Sequence, residues 1–362
     1  LFESVFGIDY KIALTIGALV VLVYTFLGGF MAVCVTDFIQ GMLMLVAILA
    51  VPLFAMSFMN KGGMTLDSGL AQSGADSANF LNLMKNGDGS NNIVNIISGL
   101  GWGLGYFGMP HILVRFMAVR DEKEMKKSKV VAISWVALSL SFAVLIGVLG
   151  RAYIPELVNG GNEKIFIEMI KKVFTQEVKL PFVAGLFLCG ILAAIMSTAD
   201  SQLLVSASSV AEDIFKGLVK KDADDKTVMR VSRITVLVVA ILAYIIALNP
   251  NNTIMGLVSN AWAGLGAAFG PIVVMSLFWK RTNFPGAVAG IVSGALSVIV
   301  WDYIPLVNGQ TIGKATGLYS LVVGFAISIV VIVIVSLCTK APGEEILQEF
   351  EDVKKNDLKY DK

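Results

Sequence analysis

Stretches without Asp, Glu, Lys or Arg recur along the whole chain. They are Ile12–Thr36, Phe38–Asn60, Gly89–Val114, Val130–Gly150, Leu180–Ala199, Ile234–Trp279, Thr282–Trp301 and Ala315–Thr339. A helix crossing the hydrocarbon core of a bilayer needs about 20 such residues. Ile234–Trp279 is 46 residues long and is divided by the turn sequence Asn249-Pro250-Asn251-Asn252. The pattern therefore predicts an all-α integral membrane protein with nine spans, at about residues 12–33, 38–58, 93–114, 130–150, 180–205, 232–248, 253–279, 285–304 and 317–339. Residues 1–362 read as one membrane domain, with 340–362 a charged tail. Segments 59–92 and 151–179 are polar enough for outer loops carrying short surface helices.

Composition narrows the class. Of 362 residues, 56% are hydrophobic and 15% charged, with mean hydropathy +0.78. A soluble domain carries about 25% charged residues, so an ordinary cytosolic enzyme is excluded. A net charge of +1 offers no electrostatic case for nucleic acid. His111 is the single histidine, which leaves no second one for a multi-His zinc site or a Ser-His-Asp triad. Cys34, Cys189 and Cys338 lie in apolar runs and read as packing thiols. The first run follows Glu3 and Asp9 and is too long for a signal peptide, and the loop-like start at Leu1 is expected in a fragment of a longer chain. With nine spans, one side collects 19 Lys and Arg and the other 9. The basic side is predicted to be cytoplasmic, which puts Leu1 outside and the tail inside.

Three places depart from plain membrane helix. Gly99–Pro110 reads GLGWGLGYFGMP. Glycine weakens a helix by about 1 kcal/mol each, and proline removes a donor. Irregular backbone at membrane depth must be buried in protein or line a cavity, so a broken helix at a substrate site is expected. The embedded G-x-G-x-x-G lacks a preceding strand and is no dinucleotide site. Trp102 and Tyr106, four apart, share a helix face at 100° per residue and would suit an ammonium group; ordinary interface or core aromatics are the alternative. Gly266-xxx-Gly270 and Gly286-xxx-Gly290-xxx-Gly294 read as close helix packing. The second place is Ala193–Ser201, where Ala194, Ser197, Thr198 and Ser201 form one stripe with Asp200 beside it. Hydroxyls, carbonyls and a carboxylate suit a hard cation, and an intramembrane carboxylate is a functional candidate by default. Hydroxyls bonding back to their own helix are the alternative. The third is Asp37, either a helix N-cap at a tight connection or part of an ion site.

Four motifs carry a resemblance: Gly101–Ala118 (GWGLGYFGMPHILVRFMA), Leu192–Val205 (LAAIMSTADSQLLV), Tyr24–Asp37 (YTFLGGFMAVCVTD) and Asn260–Pro271 (NAWAGLGAAFGP). Along its whole length the chain resembles the sodium:solute symporter family, and within it the bacterial members that carry proline. The resemblance implies an inverted-repeat fold shared with the leucine transporter, of about thirteen helices, with the nine here the last nine. It implies sodium as coupling ion, no other cofactor, a multi-pass place in the bacterial inner membrane among lipid, and alternating-access uptake of proline. By position, Ser197 and Thr198 with the Ala194 carbonyl match a sodium site whose partner carbonyls lie in a broken helix outside this chain. Asp37, Asp200 and Ser201 match a second sodium site of some members. Trp102, Tyr106 and Pro110 match residues that shape the substrate site, where Met109 departs from the glutamine of some proline carriers. Relatives carrying pantothenate, sialic acid or galactose, and proton coupling through Asp37 or Asp200, are alternatives. A membrane enzyme would need a catalytic dyad, and His111 beside Arg115 reads instead as a helix-end cap. A channel would carry ion currents far above solute flux.

Overall fold

The computed structural model describes residues 1–158, 161–249 and 254–360, the side chains of residues 24, 27–32, 122–123, 158 and 356–360 aside. The expected turn therefore lies, from residue 250 on, outside the described residues, as do many side chains of the Tyr24–Asp37 motif. Helix α1 (Phe2–Phe6) leads to α2 (Tyr10–Lys61), and α3 (Leu66–Gln72) and α4 (Ser77–Phe80) follow. Next come α5 (Ile93–Gly101), a 3-10 segment (Trp102–Gly108), α6 (Pro110–Met117), α7 (Glu122–Tyr153) and α8 (Ile165–Ile170). The long helices α9 (Pro181–Ser208), α10 (Asp225–Ala247), α11 (Ile254–Phe278) and α12 (Phe284–Tyr303) precede a small hairpin, β1 (Pro305–Val307) and β2 (Gln310–Thr311). Then α13 (Ile312–Thr316), α14 (Ser320–Cys338) and the tail helix α15 (Glu344–Tyr360) close the chain.

Among the described residues seven helical segments are long and apolar enough to cross a membrane, and Tyr10–Val23 and Ile93–Gly108 are shorter apolar ones. Their outward faces carry large apolar side chains such as Val131, Val144, Phe182 and Phe284. In water such a surface would be an aggregation hazard, whereas lipid accepts it. Cys189 and Cys338 belong to that exposed surface and only Cys34 is partly buried, so the expectation of three packing thiols is corrected.

The chain forms two compact units. The first comprises Leu1–Leu81 and Val119–Pro250. Here α2 is one helix from Tyr10 to Lys61, and the connection expected at Asp37 is absent. No proline interrupts residues 33–51, so every amide there keeps its partner four residues back. Asp37 is thus a helix-interior residue and not an N-cap. Segment 151–179 also differs from expectation. Met169, Ile170, Val173 and Phe174 are buried in one cluster with Val51, Ala55, Leu70 and Phe187, and Ile167 is buried too. Their spacing of three and four is that of an amphipathic helix with one buried face, so this part of the segment is packed into the core on one side and is not a surface helix alone. Phe174 packs edge-on against Phe187 at 4.8 Å.

The second unit comprises Asn82–Ala118 and Asn251–Lys362. Glycine sets its helix spacing. A Cβ on Gly290 would sit 2.2 Å from Ile332 Cγ1, and one on Gly294 2.1 Å from the Ala267 carbonyl oxygen. The stripe Gly286–Gly294 is therefore the close-packing seam of α12. Ser328 Oγ, buried in the seam, donates to the Gly290 carbonyl at 2.9 Å. Asn283 caps α12 through Gly286 N at 3.0 Å, and its amide nitrogen donates to Thr339 Oγ1 and to the Lys340 carbonyl, both at 2.7 Å.

Candidate functional site: an oxygen stripe and an aromatic cluster

The polar stripe of the first unit lies on α9. Ser197 Oγ donates to the Ala194 carbonyl at 3.2 Å and Thr198 Oγ1 donates to the same oxygen at 3.1 Å. Each hydroxyl spends its one proton backwards along the helix, which leaves its lone pairs for a cation. Helical phase thus gathers one carbonyl and two hydroxyls within two turns. Asp200 and Ser201 point elsewhere, into the body of the unit, where Asp200 is fully buried. Ser201 Oγ is 2.8 Å from the Ser197 carbonyl, 3.3 Å from Asp37 Oδ2 and 3.4 Å from Asp200 Oδ1. The structure therefore splits the six predicted residues into two sets, Ala194–Ser197–Thr198 and Asp37–Asp200–Ser201.

Asp37 arrives from α2, whose approach to α9 is set by small residues. A Cβ on Gly190 would touch Ala47 Cβ at 3.4 Å. The Ser201 hydroxyl lies between the two carboxylates. Asp200 Oδ2 is buried with no hydrogen-bond partner among the described residues. A buried carboxylate is costly unless something compensates its charge, and a hard cation is the compensation that oxygen donors accept.

The aromatic cluster lies in the second unit. After α5 the backbone tightens into the 3-10 segment, and Met109 is extended at φ −89°, ψ 111° before Pro110 opens α6. The expected break of Gly99–Pro110 is thus present. Its form changes one inference. At about 120° per residue in a 3-10 helix, Trp102 and Tyr106 stand roughly 120° apart and do not share a face. A third ring joins them. Trp262, from α11, stacks on Trp102 at 5.5 Å and 15° and meets Tyr106 edge-on at 4.9 Å and 83°. Its indole Nε1 donates to the Trp102 carbonyl at 3.0 Å. Tyr319, just before α14, also stacks on Trp102, at 5.8 Å and 15°. Tyr106 is 41% exposed. Pro110 is not part of the ring cluster; it fixes where α6 begins.

Glycine again permits the approach. A Cβ on Gly105 would lie 2.0 Å from Trp262 Nε1, and one on Gly108 would lie 2.6 Å from the Leu265 carbonyl oxygen. The glycines of this segment therefore serve close packing as much as the break, and Gly266 meets them from α11. Trp262 and Tyr319 were not among the expected site residues. Trp262 does sit in the Asn260–Pro271 motif, a lone tryptophan beside Gly264 and Gly266, which is the signal that marks it.

Comparison with known proteins gives a consistent picture. The model of the family described as "Sodium:solute symporter family" matches residues 1–294. A sodium/proline symporter of Staphylococcus aureus is 44% identical over 361 residues, 98% of this chain and 67% of the relative. The osmoregulated proline transporter OpuE of Bacillus subtilis (strain 168) is 41% identical over 344 residues, 95% of this chain and 66% of the relative. The chain thus spans about two thirds of the length of these relatives. A solved structure of a Na+-coupled sialic acid symporter, in a substrate-bound outward-open state, superposes with a TM-score of 0.71 at 20% identity, covering 94% of this chain and 70% of that one.

Proposed function

This chain belongs to the sodium:solute symporter family, and on that premise we propose that it forms most of a transporter that couples inward sodium flux to uptake of L-proline. It is a transporter chain and not an enzyme, with the leucine-transporter-like, all-helical membrane fold of its family. The observation that carries the substrate is identity of 41–44% to two proline carriers over 95–98% of the chain.

Sodium binds at the Ala194 carbonyl with the Ser197 and Thr198 hydroxyls. Asp37, Asp200 and Ser201 form a second cation site. Proline's ammonium meets the aromatic cluster that Trp102 and Tyr106 belong to by cation–π attraction, and its carboxylate meets the N-terminal end of α6 at Pro110, where backbone N–H groups and the helix dipole favour an anion. Occupancy of both kinds of site permits the change from outward-open to inward-open. One sodium moving down 100 mV supplies about 2.3 kcal/mol, which corresponds to roughly 50-fold accumulation of solute, before its own concentration gradient is counted. The protein sits in the bacterial plasma membrane as a multi-pass protein with, from the bias of Lys and Arg, a cytoplasmic tail.

The test is labelled-proline uptake into proteoliposomes holding the full-length protein, with an inward sodium gradient compared with potassium. Sodium-dependent accumulation blocked only by proline-like compounds supports the reading. Sodium-dependent uptake of pantothenate, sialic acid or a sugar without proline overturns the substrate, and uptake indifferent to sodium overturns the coupling ion.

A further inference from the structure

We propose that Trp262 is a positioning residue of the solute site, and that with Tyr319 it makes Trp102 a clamped support and leaves Tyr106 as the ring that meets the solute. The inference rests on the transport reading above and adds residues and a division of labour to it.

Three observations carry it. First, Trp102 is held at two kinds of atom. Its carbonyl accepts the Trp262 indole N–H, and its ring is stacked by both Trp262 and Tyr319. Second, the clamping rings are themselves anchored within the unit. Tyr319 donates its hydroxyl to the Ser259 carbonyl at 2.7 Å, and its backbone N–H donates to Ser98 Oγ at 3.0 Å. The next residue, Ser320, donates to Asp302 Oδ2 at 2.5 Å. Third, Tyr106 meets Trp262 in a T-shaped arrangement and keeps 41% of its surface open. A ring already stacked by two others offers little face to a ligand, whereas an exposed phenol offers both a face and a hydroxyl. Trp262 contacts both Trp102 and Tyr106, and so bridges two residues that the 3-10 phase alone would leave on different faces.

The experiment uses the reconstituted full-length protein and its transported solute, proline first. Trp262→Leu removes the stack, the edge contact and the N–H. Trp262→Phe keeps a ring but loses the N–H. The expected result is a rise of tenfold or more in half-saturating proline for Trp262→Leu and a smaller rise for Trp262→Phe. Half-saturating sodium should change less than threefold in both. A Trp262→Leu protein with unchanged half-saturating proline overturns the proposal. So does one in which proline and sodium dependence deteriorate together while Trp262→Phe rescues neither. A second measurement does not need transport. In a protein with Cys34, Cys189 and Cys338 replaced by serine, Tyr106→Cys and Trp102→Cys are labelled with a thiol reagent, with and without proline. Proline should slow labelling at position 106 more than at 102; the reverse order overturns the division of labour. Failure of the transport reading shows separately, as wild-type protein that moves no solute with sodium.

Discussion

Gly105→Ala is the substitution whose effect can be worked most fully from the structure. The added methyl carbon would lie 2.0 Å from Trp262 Nε1, 2.4 Å from Cδ1 and 2.8 Å from Cε2, where ordinary contact begins at 3.4 Å. The indole must therefore retreat by roughly 1.4 Å. Backbone cannot yield instead, because Gly105 Cα already lies 2.7 Å from where a Cβ on Gly266 would stand. Retreat breaks the bond from Nε1 to the Trp102 carbonyl, about 1 kcal/mol net. It weakens two aromatic contacts of about 0.5–1.5 kcal/mol each and adds an overpacking cost of about 1–3 kcal/mol. A total of roughly 3–7 kcal/mol follows as an upper range, reduced wherever the ring finds a new rotamer. The assay has two readouts: thermal stability of the detergent-purified protein and half-saturating proline in proteoliposomes. Gly103→Ala is the internal control. Gly103 lies in the same 3-10 segment with nothing within 4 Å of its would-be Cβ, so alanine there should be neutral or slightly stabilising. Gly105→Ala combined with Trp262→Leu should be milder than the sum of the two, since the smaller side chain removes the clash. Indistinguishable behaviour of Gly103→Ala and Gly105→Ala, or strict additivity in the double variant, would refute the reasoning.

Ser197→Ala and Thr198→Ala each remove one proposed oxygen ligand and should raise half-saturating sodium by about tenfold, taking about 1.5 kcal/mol for a bond to a charged group; a flat sodium titration removes the residue from the site. Asp200→Asn should also raise the sodium requirement, and its effect should be non-additive with Asp37→Asn because Ser201 contacts both carboxylates; additive effects would separate the two. Gly290→Ala places a methyl 2.2 Å from Ile332 Cγ1 and should lower thermal stability by about 1–3 kcal/mol without changing either half-saturation constant, as read from melting curves and uptake on the same preparation. A protease site added after residue 362 should be cut only when the inner face is opened; cleavage in sealed, right-side-out vesicles would reverse the proposed orientation.

Much of this was present in the residue pattern, and the parts that were not have a common cause. Charge-free runs and the scarcity of charge define a membrane protein because lipid penalises each charged residue wherever it sits, a rule that needs no partner. The glycine and proline density of Gly99–Pro110 marks a break because those residues act on their own backbone. For the same reason the hydroxyl stripe of α9 could be read from helical phase. The continuity of α2 through Asp37, the burial of Ile165–Phe174, the pairing of Ser201 with Asp37 and the meeting of Trp102 and Tyr106 on Trp262 were different. The first depends on which of two local conformations the packed helix favours. The others depend on neighbours far along the chain: Ser201 lies 164 residues from Asp37, and Trp262 lies 160 from Trp102. Local sequence decides what a segment can be, because backbone sterics and solvent transfer act residue by residue. Which rings and carboxylates become partners is decided by tertiary packing, since only the glycine-lined approach of α11 to the 3-10 segment, and of α9 to α2, brings those atoms within a few ångströms.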